Sequence, residues 1–367
     1  MRARSSLLFV LSMLLVATLG VVLAGEGPEG LKPGTVTLKS AGPIAFAPDG
    51  VLLIGDPVAA TVYAVATGDT KGDPEKAEYR IEAIDEKVAA LLGVSSSDIL
   101  IADVAANPTS GNVYLSVARG RGPDAQAVIV RTNPQGEFDI LPLENVACAK
   151  AELPNPPREA GQGRFNQRAL AITDLAYVAG SVIVAGLANE EFASTLRVLP
   201  YPFAEGTRGA GVEIYHGSHG RFETQSPIRT FTSYVLEGEP HILAAYTCTP
   251  LVKIPLKQLA PGAKVRGVTI AELGNRNQPL DMFVYSKDGK DYLLVANSRR
   301  GVMKISAVEL SGNYNITQRI EGTAGAGFET LEGWTGVVHL DRLNSQCALV
   351  LSQNESGRLD LRSVPLP

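Results

Sequence analysis

One short segment of the chain concentrates residue types that bind transition metals. His216 and His219 are separated by two residues and are two of only four histidines in the sequence. Two imidazoles at this spacing on a glycine-containing loop can reach one ion, and Glu223 or Cys248 could supply a further ligand. The pattern predicts a metal site formed by these four side chains. The alternative is a pair of loop histidines that are exposed or bonded to the backbone.

A second set of polar residues recurs at the ends of predicted strands. Asp103, Asp174 and Asp281 each open a short apolar stretch, Asn297 ends one, and Arg229 lies where a long insertion meets the next. We predict that these five side chains bind a ligand, which is a small molecule or a protein. The alternative for the aspartates is structural, because a carboxylate at a strand start can accept hydrogen bonds from backbone amides of a neighbouring unit.

These residues lie within a recurring unit that must position them. Almost no helical periodicity is present. Six stretches instead run strand, turn, strand, loop, strand, and their starts recur roughly every 50 to 70 residues. The stretches are 43–65, 103–131, 174–199, 232–256, 281–305 and 336–362. Because each unit cannot bury its faces alone, the repeat predicts an all-β, six-bladed β-propeller with seven blades as the alternative. A sandwich would not produce this repeat.

The turn Pro48-Asp49-Gly50 after Ile44-Ala45-Phe46 resembles the blades of NHL-type and gluconolactonase-like six-bladed propellers. The resemblance covers most of the chain at the level of the repeat and implies a fold, not an activity. It also implies that a divalent cation could lie in the central channel, held by oxygens such as those of Asp174, Asn189, Asp281 and Asn297. Calcium, zinc and copper are therefore the candidate cofactors. The first blade lacks the matching glutamate and departs from that pattern.

The blade pattern makes further structural predictions. Phe46, Val104, Leu175, Met282 and Val337 should lie on inner strands and be buried between blades. The stretch 35–38 should add an outer strand to the last blade, and 74–92 could form an amphipathic helix. The long insertions 144–167 and 201–229 should lie above the face where inner strands begin.

The N-terminal residues predict export. A basic start is followed by the apolar run Leu7–Ala24, which ends in small residues, as in a secretory signal peptide cleaved after Ala24. An uncleaved membrane anchor is the alternative. We therefore expect residues 25–367 to form one propeller domain that is secreted or periplasmic. The net charge of −5 argues against a nucleic-acid partner, and no later segment is apolar enough to span a membrane.

The cysteines and the missing motifs reduce the number of possible functions. Three cysteines are few for a disulfide framework, although Cys148 and Cys248 could pair, and Cys347 suggests a buried thiol. Nucleophile-elbow, phosphate-loop and covalent-haem motifs are absent. Two functions remain: a binding or interaction propeller that uses its loop-rich face, or a metal-dependent enzyme, either a lactonase-like hydrolase or an oxidoreductase.

Overall fold

The computed structural model describes residues 28–159, 166–203 and 206–367. The predicted signal peptide and its cleavage point lie outside these residues. Within them, no helix combines the length and the hydrophobicity needed to cross a bilayer.

The described chain is built almost entirely of strands. The first part contains β1 (Lys32–Gly34), β2 (Ile44–Ala47), β3 (Val51–Asp56), β4 (Thr61–Ala66), β5 (Arg80–Ile81) and the helix α1 (Ile84–Leu92). It continues with β6 (Ile99–Ala106), β7 (Val113–Arg119), β8 (Gln126–Thr132), β9 (Phe138–Ile140) and β10 (Val146–Glu152). The central part contains β11 (Asp174–Val178), β12 (Ser181–Leu187), β13 (Ser194–Pro200), β14 (Ala210–His216) and β15 (Arg221–Glu223).

The second half follows the same plan. It contains β16 (Ile228–Leu236), β17 (Glu239–Tyr246), β18 (Pro250–Pro255), β19 (Lys264–Arg266), β20 (Val268–Leu273), β21 (Pro279–Lys287), β22 (Lys290–Asn297) and β23 (Gly301–Ser306). The helix α2 (Ala307–Leu310) precedes β24 (Thr323–Gly325), β25 (Glu329–Thr330), β26 (Val337–Arg342), β27 (Cys347–Gln353) and β28 (Leu359–Pro365).

These strands form six sheets, which are the blades of a six-bladed β-propeller. From the channel outward, blade I is β2-β3-β4-β10-β1, blade II is β6-β7-β8-β9, and blade III is β11-β12-β13-β14-β15 with β19 beside β14. Blade IV is β16-β17-β18-β20-β24, blade V is β21-β22-β23-β25, and blade VI is β26-β27-β28-β5. The prediction of six blades is confirmed, and the seven-bladed alternative is wrong.

The blades do not follow the chain order around the ring. The inner strands contact one another in the order β6, β2, β11, β16, β21, β26 and back to β6. Blade II therefore lies between blades I and VI, and blade I lies between blades II and III. One hydrophobic cluster joins Val104 of blade II to Leu351 of blade VI, and another joins Leu53 of blade I to Leu175 of blade III.

This ring order explains how the propeller closes. The prediction that the stretch 35–38 completes the last blade is wrong. Strand β5 pairs with β28 there, because the chain passes blade VI on its way from blade I to blade II. The outer positions of blade I are filled by β10, which follows blade II, and by β1, which pairs with β10.

The predicted core residues lie on inner strands, and most are buried. Val104, Leu175, Met282 and Val337 are each at most 8% exposed, consistent with packing between blades. Phe46 is only half-buried; its ring lies edge-on to Tyr114 at 5.1 Å between centroids. The inner-strand alignment of the repeats is thus confirmed.

Two local expectations need correction. The helix within 74–92 is limited to α1, because β5 already occupies Arg80–Ile81. The described parts of the two long insertions contain outer strands and are not only loops above the face where inner strands begin. Val146–Glu152 and Ala210–His216 are outer strands of blades I and III, because an exposed blade edge gains backbone hydrogen bonds by adding a strand.

Candidate functional site

Three of the predicted metal ligands lie together at the boundary between blades III and IV. His216 ends β14, and His219 lies in the turn that leads to β15. Cys248 lies in the turn between β17 and β18. One nitrogen of each imidazole and the sulfur of Cys248 lie within 4.8 Å of one another. Ligands bound to one zinc ion at about 2.0–2.3 Å can be at most roughly 4.6 Å apart, so little side-chain movement would be needed.

A single carboxylate orients both imidazoles. Nδ1 of His216 lies 2.9 Å from one oxygen of Glu223, and Nδ1 of His219 lies 2.8 Å from the other. The two rings are tilted against each other, with centroids 3.8 Å apart and 35° between their planes. Because an ionised carboxylate only accepts hydrogen bonds, both rings donate Nδ1–H, and in a neutral imidazole this tautomer leaves Nε2 available for a ligand.

The electrostatics of the cluster favour these protonation states. Burial would raise the pKa of Glu223, but hydrogen bonds from Ser226, Arg221 and the two imidazoles outweigh it and lower the pKa to about 2. Burial lowers the pKa of His216, and the bond to Glu223 opposes this only in part. At neutral pH, Glu223 is therefore ionised and His216 is neutral, as a metal-binding imidazole must be.

His216 leaves a buried polar atom without a partner. The residue is 1% exposed, and its Nε2 has no hydrogen-bond partner in the described structure. An orphaned buried nitrogen costs about 1–3 kcal/mol, so its presence requires an explanation. A metal ion bound between this nitrogen and Cys248 would satisfy it.

Cys248 occupies a backbone conformation that glycine usually takes. The turn from Tyr246 to Thr249 is closed by a 2.8 Å hydrogen bond between the Thr249 amide and the Tyr246 carbonyl. Cys248 is its third residue and has a φ of 63°; Thr249 follows with a φ of 69°. A left-handed conformation costs a non-glycine residue about 1–2 kcal/mol. The strain is explained if the sulfur is needed beside the imidazoles.

A buried glutamate of blade IV accepts a hydrogen bond from the turn that carries the two histidines. Glu272 on β20 is 1% exposed, and its Oε1 accepts a hydrogen bond from the amide of Gly217 at 2.5 Å. Burial raises the pKa of Glu272 to about 7, although the amides of Gly217 and Ser218 oppose the rise. Blade IV thus holds the turn of blade III that carries both histidines.

The channel aspartates have a different role: they join blades. Asp103 of blade II accepts a hydrogen bond from the amide of Ile44 in blade I at 2.7 Å. Asp174 accepts from Phe231 in blade IV at 2.8 Å, and Asp281 accepts from Leu340 in blade VI at 2.8 Å. This is the structural alternative considered for these residues.

Asp341 makes a fourth hydrogen bond between blades. It lies on blade VI and accepts from the amide of Ala106 in blade II at 2.8 Å. Burial raises the pKa of Asp341 to about 7, against the hydrogen bonds from the amides of Ala106 and Arg342, and it likewise raises the pKa of Asp174 to about 7.

A histidine that the sequence analysis did not select sits among these aspartates. Nδ1 of His339 lies 3.1 Å from Asp281 and 3.6 Å from Asp103, and the three side chains are 15–21% exposed. Burial lowers the pKa of His339, but the Asp281 charge and hydrogen bond outweigh it and raise the pKa to about 9. Burial and the nearby Asp281 raise the pKa of Asp103. The three residues can be grouped as metal ligands, and without an ion the raised pKa of His339 favours an ion pair with Asp281.

Two cavities lie along the channel on either side of Asp103, Asp174 and Asp281. They have volumes of about 610 and 340 Å³, and Arg229 lines the larger. The side-chain amide of Gln278, oriented with its oxygen toward Arg229, accepts hydrogen bonds from Nε at 3.2 Å and Nη2 at 2.8 Å. Burial lowers the pKa of this guanidinium. Four of the five predicted ligand-binding residues thus meet at this cavity.

Asn297 is the residue that does not join them. It is 4% exposed and lines neither channel cavity. Its side-chain oxygen accepts a hydrogen bond from Asn277 at 2.9 Å, and its nitrogen donates to the Val295 carbonyl. We therefore assign it a structural role, because both ends of its amide are used locally.

Four expectations about the metal cluster and the cysteines need correction. The histidines of the insertion 201–229 do not lie over the central channel, because β14 is an outer strand of its blade. Glu223 orients the imidazoles and does not join the group of ligand atoms. Cys148 and Cys248 are both free thiols, since they lie on blades I and IV, which are not neighbours. Cys347 is also free but only partly buried.

His339, Asp341 and Glu272 are functional or structural residues that were not among those selected from the sequence. His339 and Asp341 carried a usable signal, since a histidine and an aspartate flank Leu340 in the sixth repeat. Glu272 carried none, because its importance depends on a contact between two blades.

Comparisons with known proteins assign this chain neither a family nor a function. No protein-family model matches the sequence, and no curated protein matches it. Among solved structures, the PQQ-bound aldose sugar dehydrogenase of Streptomyces coelicolor is similar at 10% identity over 91% of this chain and 97% of that chain, with a TM-score of 0.33. A putative 6-phosphogluconolactonase of Bacteroides uniformis is similar at 12% identity over 86% and 78%, with a TM-score of 0.32. Hydrazine synthase of Kuenenia stuttgartiensis is similar at 10% identity over 90% and 97%, also with a TM-score of 0.32.

Proposed function

We propose that this propeller is a metal-binding protein that holds one zinc or copper ion between blades III and IV. The ligands are Nε2 of His216, Nε2 of His219 and the thiolate of Cys248. The observation that carries the proposal is Glu223, whose two oxygens turn both imidazoles so that their Nε2 atoms are free for one ion. The buried, unpartnered Nε2 of His216 and the strained turn at Cys248 support it independently.

The ligand types favour a soft or borderline ion. Thiolate and imidazole suit zinc and copper, whereas calcium and magnesium prefer sets of oxygen ligands. Two imidazoles and one thiolate form the set found in zinc sites and in trigonal copper sites. Calcium, one of the three candidate ions from the sequence, therefore does not suit this cluster.

The channel is the weaker candidate for the main site. Asp103, Asp174 and Asp341 each use both carboxylate oxygens on backbone amides, which leaves little capacity to bind a cation or move a proton. Asp281 is engaged by His339 and by Leu340. These contacts support a structural role for the channel acids rather than a lactonase-like hydrolase.

The test is the metal content of the mature protein, residues 25–367. We expect about one equivalent of zinc or copper per chain, bound tightly enough to survive desalting. The double variant His216→Ala/His219→Ala should lose that equivalent. His241→Ala is the matched control, because this histidine bonds only the Glu239 carbonyl and lies outside the cluster. Equal metal content in the double variant and the control would refute the site.

We also propose that the protein works after export, in the secreted or periplasmic space. The basic start and the apolar run Leu7–Ala24 support this. N-terminal sequencing of protein from the native host should find Gly25 as the first residue. An intact Met1 in a membrane fraction would contradict the proposal.

A further inference from the structure

The ligand set of the cluster is incomplete for a closed metal site. Structural zinc sites have four protein ligands, whereas sites that bind substrate have three protein ligands and an exchangeable position. Within the described residues, the group of ligand atoms contains only His216, His219 and Cys248. Both oxygens of Glu223 are already engaged by the imidazoles, Arg221 and Ser226, so this residue does not supply a fourth ligand.

The two imidazoles differ in their access to solvent, which gives the open position a direction. The side chain of His216 is 2% exposed, whereas that of His219 is 43% exposed. His216 and Cys248 therefore approach the ion from the protein side, and His219 lies at the surface. A ligand from solution would reach the ion past His219.

Arginines lie in the segments that contact the two turns carrying the ligands. On the histidine side, Arg221 bonds Glu223, and the side chain of Arg319 lies against Gly220, where a Cβ would be 3.1 Å from the Cβ of Arg319. The segment of Arg319 is held there by a 2.9 Å hydrogen bond from the Ile320 amide to the Gly217 carbonyl.

More arginines lie on the cysteine side. The amide of Cys248 donates to the carbonyl of Asn277, the residue after Arg276. Arg300 packs against Gly274, whose carbonyl accepts a hydrogen bond from Thr249. Arg276, Arg300 and Arg319 are exposed, and none forms an ion pair with a carboxylate in the described part of the chain. Positive charge around a site raises the local concentration of anions.

We propose that the bound metal ion keeps one coordination position open beside His219, and that this position takes a small monovalent anion, such as a carboxylate, attracted by the neighbouring arginines. This inference rests on the proposed metal-binding function. It adds the ligand class and identifies the site as one that exchanges ligands, not one that only stabilises the fold.

Cobalt substitution tests the inference on the mature protein. Co²⁺ replaces zinc and reports its ligands through visible absorption: a thiolate–cobalt charge-transfer band reports Cys248, and the ligand-field bands report the remaining positions. We expect sodium azide, and more weakly sodium acetate, to change the ligand-field bands in a saturable manner at constant ionic strength. The thiolate band should persist during the titration.

The outcomes separate the two proposals. If no thiolate–cobalt band forms, the metal-binding function itself fails. If the band forms but neither anion changes the ligand-field spectrum, the metal site stands and the open position is refuted.

The role of the arginines has its own control. Arg276→Gln/Arg319→Gln should weaken azide binding by roughly two- to fivefold, since each charge adds a modest solvent-screened attraction. Arg80→Gln, at an 84% exposed side chain on the outer strand of blade VI, should leave azide binding unchanged. Equal azide affinity in both variants would refute the attraction by arginines.

Discussion

Glu223 accepts a 2.9 Å hydrogen bond from Nδ1 of His216, the last residue of β14 in blade III. Among the described residues, the buried Nε2 of the same imidazole has no hydrogen-bond partner. The same carboxylate accepts from His219 through its other oxygen. The pair of bonds fixes both tautomers before any ion arrives, which lowers the cost of organising the site.

Replacing Glu223 by Gln should weaken metal binding without unfolding the protein. The amide keeps one acceptor oxygen, so only one imidazole retains its hydrogen bond. Loss of such an orienting partner typically costs 10- to 100-fold in metal affinity. Competition with a chromophoric zinc chelator measures the dissociation constant. Arg221→Gln, which removes a neighbouring partner of the carboxylate but no acceptor, is the control and should change the affinity less. Equal affinity in wild type and Glu223→Gln would contradict the orienting role.

Replacing Cys248 by Gly should separate metal binding from stability. Glycine adopts the observed φ of 63° without strain, which offsets its greater loss of backbone entropy. We expect the metal-free variant to be as stable as the metal-free wild type, or more stable by up to about 1 kcal/mol, and to bind no metal tightly. Urea unfolding in chelator and metal analysis are the measurements. Cys148→Ala should keep the metal; retention of metal by Cys248→Gly would show that the sulfur is not a ligand.

The fold was largely predictable because each blade is a local unit. Three strands of every blade are consecutive in the chain, and their alternating residues and turns appear directly in the sequence. The ring order was not predictable, because neighbouring blades I and III are separated by all of blade II. The outer strands β5 and β10 escaped detection for the same reason: each pairs with a blade other than the one it follows in the chain.

The site was predictable in its residue types but not in its geometry. His216 and His219 are close in sequence, so their convergence required no knowledge of the fold. The place of Cys248 beside them depends on how blades III and IV pack. The role of Glu223 could not be separated from that of a ligand, because a carboxylate near two histidines can bind either the ion or the imidazoles.

Replacing Asp103 by Ala should destabilise the ring without affecting the metal site. The change removes the acceptor for the buried amide of Ile44, and leaving such a group unsatisfied costs about 1–3 kcal/mol. Asp103→Asn keeps one acceptor oxygen and should lose less. Both variants should retain the metal content of the wild type. The measurement is the urea midpoint of the metal-free proteins. An unchanged midpoint in Asp103→Ala would contradict a stabilising role for the hydrogen bond between blades I and II.

The ion pair between His339 and Asp281 predicts how stability depends on pH. Despite burial, the Asp281 carboxylate raises the pKa of His339 to about 9, above the value of about 6.5 expected in the unfolded chain. The protonated imidazole is thus favoured in the folded state. Its contribution to stability is complete below pH 6.5 and is lost as the pH rises through 9.

Other channel groups titrate at lower pH. Burial raises the pKa of Asp174 and of Asp341 to about 7. The stability that their protonated forms contribute is therefore lost as the pH rises from about 4 through 7. Asp103, also raised, faces the same imidazole. Arg229, at the larger cavity, keeps its positive charge throughout this range because its pKa, although lowered, starts far above it. Comparison with a variant that lacks the imidazole is therefore needed to isolate the contribution of His339 between pH 7 and 9.

Unfolding by urea in the presence of chelator at pH 7, 8 and 9 measures this contribution. The free energy of unfolding of the wild type should fall by roughly 2 kcal/mol more than that of His339→Gln across the interval, because glutamine has no proton to lose. The metal cluster is the same in both proteins, so its contribution cancels in the comparison. Profiles that run parallel from pH 7 to 9 would show that the imidazole is not held in its charged form. The ion pair between blades V and VI would then be refuted.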